Sequence, residues 1–183
     1  ASDDEDAPRY GQLAQDRCTA IQQHFWDPRG FFTDLDLETG VRRPNPNAAA
    51  LTPLLVGLAT QAQADATAQF VREIFLAPGG MRTTLVETAE QWDRPNGWAP
   101  LQWIAVTGLR RYGHSALASE IAQRWVAMIE RTYRQTGLIY EKYNVETGSI
   151  GTGGEYGPQS GFGWTNGVTA DFLDSGAAID GLP

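Results

Sequence analysis

With 183 residues, 42% of them hydrophobic, the chain is long enough for one domain with its own buried core. Half of its formal net charge of -8 comes from Asp3, Asp4, Glu5 and Asp6, which read as a solvated, frayed acidic tip over residues 1–7. The scattered Lys and Arg residues offer no basic face for nucleic acid, lone Cys18 excludes an intrachain disulfide or a cysteine-built zinc site, and no apolar run approaches a membrane span of about 18 residues.

Apolar residues Tyr10, Leu13, Ala14, Cys18, Ile21 and Phe25 recur at steps of three to four and predict a helix from Pro8 to Trp26, with the proline in its first turn. A second helix is expected over 48–63 and a third over 65–76, stopped by "APGG". Trp98, Leu101, Ala105, Leu109 and Tyr112 are in register for a fourth, with Gly113 at its C-terminal cap. Ser115 is placed to cap a fifth, whose stripe is Leu117, Ile121, Trp125, Ile129 and Tyr133, and a short sixth spans Asn166 to Leu173. Breaks at residue 64 and at 113–115 predict antiparallel helical hairpins.

Two segments interrupt the helical pattern in the same way. "GFFTDLDLETG" at 30–40 and "GLIYEKYNVETG" at 137–148 each follow a long helix, carry β-favouring residues and close on the same Glu-Thr-Gly turn. They read as an internal repeat of short β-hairpins, with starts 107 residues apart, or two helical-hairpin units of about 50 residues. The expected fold is therefore an all-α array, a partial α/α toroid of about six helices with short β-hairpins. Six helices make half of a closed six-hairpin ring, so apolar helix faces without partners are expected, together with further chain to cover them.

Candidate chemistry concentrates in two places. "EQWDRPNGWAPLQW" at 90–103 holds three of the six tryptophans, and its Pro95, Asn96 and Gly97 put Gln91, Trp92 and Asp93 on an irregular segment. Aromatic faces beside amide and carboxylate groups suit a sugar, so Trp92 is a candidate pocket wall, whereas Trp98 and Trp103 read as core. The second place, 141–168, contains Gly148, Gly151, Gly153 and Gly154, flanked by Glu141 and Glu155. Those glycines permit backbone close to a ligand or a mobile cover, and no GK[ST] ending points to nucleotide phosphates. On composition alone Glu141 and Asp34, aligned when counted from the opening glycine of each hairpin, are ordinary solvated hairpin charges. His24 and His114 stand far apart in sequence and read as surface or capping residues, so no metal site and no cofactor are expected and carboxylates remain the acid and base candidates. That chemistry fits glycoside hydrolysis.

"QWDRPNGWAP", Gln91 to Pro100, resembles a signature of the α,α-trehalase family of glycoside hydrolases, Q-W-D-x-P-x-G-W-x-P, at every fixed position. Gly153 to Val168 is similar to the family's glycine-rich G-G-E-Y segment and the Q-x-G-F-G-W-T-N-G-V that follows it, and Glu141, Lys142 and Tyr143 match its E-K-Y motif. The resemblance covers about residues 10 to 174. It implies an α/α toroid that hydrolyses α,α-trehalose to two glucoses with inversion at one anomeric carbon and without a cofactor. By position, Glu141 matches the general base and Glu155 a carboxylate that binds sugar hydroxyls under the glycine-rich lid, with Gln91, Trp92, Asp93 and Trp164 as further substrate-binding residues.

The family's P-G-G-R-F segment and its acid-bearing S-G-W-D-x-S-x-R-W motif are absent, and the "PGG" at 78–80 is followed by Met81. Residues 1–183 are thus expected to be the C-terminal part of one toroidal catalytic domain whose general acid lies on an N-terminal part not in this sequence. Trehalose and that missing part are the expected partners; nucleic acid and membrane are not. Two other readings stay open: a noncatalytic sugar-binding module that lacks the acid, and a toroidal hydrolase of another glucoside. The first residues lack the basic and apolar regions of a signal peptide, which leaves a cytoplasmic protein or one whose signal has been removed. The acidic, disulfide-free composition fits a bacterial periplasmic or cytoplasmic protein alike, and of the two the periplasm is preferred.

Overall fold

The computed structural model describes residues 6–176. Three helix–hairpin–helix units follow one another, and their first helices start at residues 7, 61 and 115, 54 residues apart. The first unit is α1 (Ala7–His24), the hairpin β1 (Trp26–Asp27) and β2 (Phe31–Phe32), and a 3₁₀ turn, Ala48–Leu51, that runs into α2 (Thr52–Leu55). The second is α3 (Gln61–Phe70) with a π-helical continuation over Val71–Phe75, the hairpin β3 (Leu76–Ala77) and β4 (Gly80–Met81), strand β5 (Asn96–Trp98) and α4 (Ala99–Arg111). The third is α5 (Ser115–Thr136), strands β6 (Lys142–Asn144) and β7 (Ser149–Ile150), and α6 (Gly163–Asp174). Of the acidic tip expected over 1–7, residues 1–5 lie outside the described residues, and Ala7 already belongs to α1.

Helix α4 stands between α2 and α6, and α5 packs on both α4 and α6. The core runs along this line: Leu54, Ala105, Leu109, Leu117, Ile121, Trp125 and Phe172 are each 3% exposed or less. Burial of each of the leucine, isoleucine and phenylalanine side chains stabilises the fold by about 1.5–3 kcal/mol. Gly108 lets α2 and α4 touch, since a Cβ there would lie 3.0 Å from Leu54 Cβ and 3.0 Å from Leu55 N. The buried Gln102 of α4 pairs both amide atoms with the backbone of Met81, at 2.7 and 2.8 Å, and so fixes β4 to the helix.

Several expectations change against this frame. The second helix does not run from 48 to 63: Gly57 takes the left-handed conformation at φ 72°, and Thr60 opens α3 with a capping box to Gln63. A complete start signal at 60 therefore outweighs the break expected at 64. Ser115 is the first helical residue rather than the cap; His114 takes the cap position of α5, and its ring meets Asp65 at 2.9 Å. Trp103, read as core, is 37% exposed and donates to Asp171 Oδ2 at 3.0 Å. Tyr133, at the end of the α5 stripe, is 52% exposed, and α1 has no buried residue even though its stripe is regular.

The internal repeat is real, but its register moves by one. In each copy an Asx side chain, Asp36 or Asn144, accepts from the amides two and three residues on, and Gly40 or Gly148 donates back to that residue's carbonyl at 2.8 Å. The matching turns are 108 residues apart, two units of 54, which pairs Glu141 with Thr33 instead of Asp34. The first copy forms its strands earlier than expected, at 26–32, leaving only a Leu35–Arg42 bridge across the Glu-Thr-Gly turn. Asp34 is exposed and accepts from Asn47 Nδ2 at 2.9 Å, in keeping with a solvated reading.

Candidate active site

Glu141 sits where two backbone ladders meet. On its N-terminal side Tyr140 bridges Ser160, and the Glu141 amide donates to Gln159 O at 2.8 Å. On its C-terminal side β6 pairs antiparallel with both β5 and β7, setting Lys142 opposite Trp98 and Tyr143 opposite Gly97. The strand β5 had no counterpart in the sequence reading, because "NGW" reads as a turn leading into a helix. Its pairing with β6 is what joins the tryptophan-rich segment to the Glu-Lys-Tyr segment.

The glutamate is not on a solvated face: it is 3% exposed. Its Oε2 accepts from Lys142 Nζ at 3.3 Å, and its Oε1 from the Tyr156 hydroxyl at 2.9 Å. Its backbone carbonyl accepts from Trp164 Nε1 at 3.2 Å and from Thr165 Oγ1 at 3.3 Å, which fastens it to the first turn of α6. The hydrogen bond to Glu141 holds the Tyr156 phenol above the usual tyrosine value. Next along β6, burial pushes Tyr143 up to about 12, so this phenol stays neutral while it accepts the Tyr140 amide at 2.8 Å.

The loop at 88–95 forms one wall. Trp92 stacks on Trp98 with centroids 4.0 Å apart and planes 9° apart, and Trp164 stands edge-on to both, at 6.4 and 5.6 Å. Trp92 is nevertheless 44% exposed, so an aromatic surface remains open to a ligand. Gln91 faces inward: its Oε1 accepts from Lys142 at 3.1 Å and its carbonyl from Trp98 Nε1 at 3.1 Å. Asp93 turns away from Glu141 and accepts from the hydroxyls of Thr84 and Thr88, which closes its own loop.

The glycine-rich segment crosses this wall at very short range. A Cβ at Gly151 would lie 2.8 Å from Lys142 Cγ and 2.9 Å from Asn96 Oδ1, and one at Gly154 2.9 Å from Gln91 Cβ. Gly154 N donates to Ala89 O at 2.9 Å, while Asn96 Nδ2 reaches both Gln91 O and Thr152 O. Close packing of two loops therefore requires these glycines, in addition to any freedom they lend a cover. Glu155 is exposed, with no hydrogen-bond partner for its carboxylate among the described residues, and the neighbouring Tyr156 makes the contact with Glu141. Of the expected site residues, Glu141, Gln91, Trp92 and Trp164 are brought together, while Glu155 and Asp93 do not touch Glu141. Lys142, Tyr156 and Asn96 were missed as site residues; the Lys and Tyr lay inside matched motifs, but nothing local shows that they are shared between loops.

Glu146 ties the same loops together from behind. Arg82 Nε and Arg94 Nε reach its Oε1 at 2.7 and 2.6 Å. The Arg94 hydrogen bond, then the one from Arg82, lowers its pKa below the ordinary 4.5. A depressed carboxylate contributes stability above its unfolded value and loses it as pH falls through the folded one. Glu146→Gln is accordingly expected to lower the thermal midpoint at pH 7, with the gap to wild type shrinking below about pH 4.5 and closing in stronger acid. Melting curves over a pH series check this.

The architecture defines a class. A neutral trehalase from Saccharomyces cerevisiae superposes with a TM-score of 0.76 at 28% identity, covering 91% of this chain and 30% of that one. A GH63 mannosylglycerate hydrolase from Thermus thermophilus does so with a TM-score of 0.72 at 26% identity, covering 93% and 41%. The fold is that of α/α-toroid glycoside hydrolases. Within that class the sequence profile of the trehalase family matches residues 1–176, and the chain belongs to the trehalase family. A periplasmic trehalase of Xanthomonas axonopodis pv. citri is 49% identical over 166 residues, covering 90% of this chain, and one of Pseudomonas aeruginosa is 47% identical over 167. The chain spans about 30% of the length of these relatives, 29% and 30% respectively.

Proposed function

We propose that residues 1–183 are the C-terminal part of an inverting α,α-trehalase, supplying the general base and the glycine-rich lid of a periplasmic enzyme. The observation that carries this reading is the buried Glu141, held between the Trp92 loop and the lid residue Tyr156, in a chain 49% identical to a periplasmic trehalase. Glu141 takes a proton from water as the water oxygen attacks one anomeric carbon of trehalose; the glycosidic C–O bond breaks, and the leaving glucose takes its proton from a general acid. That acid belongs to the remaining ring, about 6.5–9.5 Å from the base. Trp92 and Trp164 offer ring faces to the sugar, and Gln91, Asp93 and Glu155 its polar contacts, with Glu155 reaching a hydroxyl when the lid closes on substrate.

Two open apolar grooves support the partnership with further chain. One, of about 450 Å³, lies beside α1 and α2 and is lined by Ile21, Phe25, Phe32, Pro53 and Val56. The other, of about 350 Å³, lies beside α5 and α6 and is lined by Val126, Ile129, Tyr133, Ile139 and Leu173. They sit on the first and last helix pairs, where further hairpins of a ring would pack.

Residues 1–183 alone are expected to release no measurable glucose from trehalose. The complete polypeptide is expected to release one α- and one β-glucose per cleavage, read by proton NMR before mutarotation, and to leave mannosylglycerate intact. Two α-glucoses would rule out inversion, and turnover by the 183 residues alone would place the acid within them.

A further inference from the structure

We infer that Lys142 is the positioning residue of the general base, an inference that rests on the assignment of Glu141 above. Lys142 is the only lysine among the chain's 14 Lys and Arg residues, and it is 1% exposed. Arginine serves at every other basic position, mostly in partly exposed ion pairs. At 142 the space is bounded by two rings, with Nζ 5.4 Å from the Trp98 centroid and 4.8 Å from that of Tyr156. A compact ammonium fits there and donates in several directions, whereas a planar guanidinium fork is larger and fixed in geometry.

The ammonium links two segments that are 50 residues apart in sequence. It donates to Gln91 Oε1 in the tryptophan-rich loop and to Glu141 Oε2, the oxygen that Tyr156 does not reach. Holding Oε2 sets the rotation of the carboxylate and leaves Oε1 facing the lid, where substrate and attacking water arrive. The absence of a side chain at Gly151 supports this arrangement, since a Cβ there would lie 2.8 Å from Lys142 Cγ, while its amide donates to Lys142 O at 3.0 Å. The ammonium contacts are with Glu141 and Gln91, so the loss of Lys142 is expected to act mainly on the chemical step, with only a small effect on sugar binding through Gln91.

The test uses the complete polypeptide that carries these residues. Lys142→Met is expected to lower kcat about 100-fold, the scale of a misplaced catalytic group, with KM within about threefold and no rescue by Lys142→Arg. In ¹⁵N-lysine-labelled protein, the Nζ resonance missing from Lys142→Arg is expected to shift in Glu141→Gln and to stay in place in Asp34→Asn. Because this resonance is read without activity, it decides the matter even where Lys142→Met fails to fold. Wild-type kcat in Lys142→Met, or an Nζ resonance indifferent to Glu141→Gln, overturns the positioning role. Full activity in Glu141→Gln overturns the assignment of the base instead.

Discussion

Glu141→Gln is expected to lower kcat of the complete enzyme on trehalose by about 10²–10⁴-fold, the usual contribution of a positioned general base. The amide keeps the volume of the carboxylate and leaves an acceptor for Tyr156 or Lys142, so the fold and KM should change little. The carboxylate is 3% exposed and its backbone is held by Gln159, Trp164 and Thr165, which limits relaxation into a substitute geometry. Azide is a small anion that can enter the space vacated by water, and partial recovery of rate in its presence would place the loss at the attack step. The measurement is steady-state kinetics with circular dichroism on the same samples. A loss confined to KM would mean that Glu141 binds sugar instead of activating water.

Trp98→Ala should be the most destabilising single change at the site, by about 3–5 kcal/mol, as for other large-to-small substitutions of buried aromatic residues. Trp98 is 1% exposed, stacks under Trp92, meets the edge of Trp164 and stands across the ladder from Lys142. Its loss empties the floor beneath the exposed ring and leaves Gln91 O without the indole donor at 3.1 Å. Trp103→Ala makes an informative comparison, since that ring is 37% exposed and its main polar contact is with Asp171. Denaturant melts should separate the two in residues 1–183, with Trp98→Ala much the more costly; equal effects would mean that Trp98 is not the platform beneath Trp92.

The Glu-Lys-Tyr segment shows where sequence reading stops. Local pattern makes residue 141 a hairpin charge, and only the resemblance to trehalases raised it to a catalytic candidate. Its burial comes from residues far away in sequence, Tyr156, Trp164 and the β5 strand, whose pairing no local periodicity encodes. Helices α4, α5 and α6 were legible because their apolar residues repeat with the helical period and Gly113 and Gly137 end two of them in the left-handed conformation. The 48–63 segment was misread because alanine and leucine favour helix throughout, and the break depends on one glycine and a capping box whose two partners must be seen together. In the first hairpin the Glu-Thr-Gly turn was found but its strands were misplaced, because buried Phe31 and Phe32 pair backward with Trp26 and Asp27.

By itself the sequence determined the helical class, a repeat of about 50 residues, the repeated Glu-Thr-Gly turns and the two tryptophan- and glycine-rich segments that hold the candidate site residues. These follow from short-range physics: helical period, turn residues and glycine's access to positive φ. Tertiary structure alone decided that Lys142 is buried against Glu141 and that Tyr156 rather than Glu155 meets that glutamate. It also decided that the glycines are required by contact between two loops. Those outcomes depend on desolvation and on close approach between residues up to about 60 positions apart, and such distances exist only once the helices have packed.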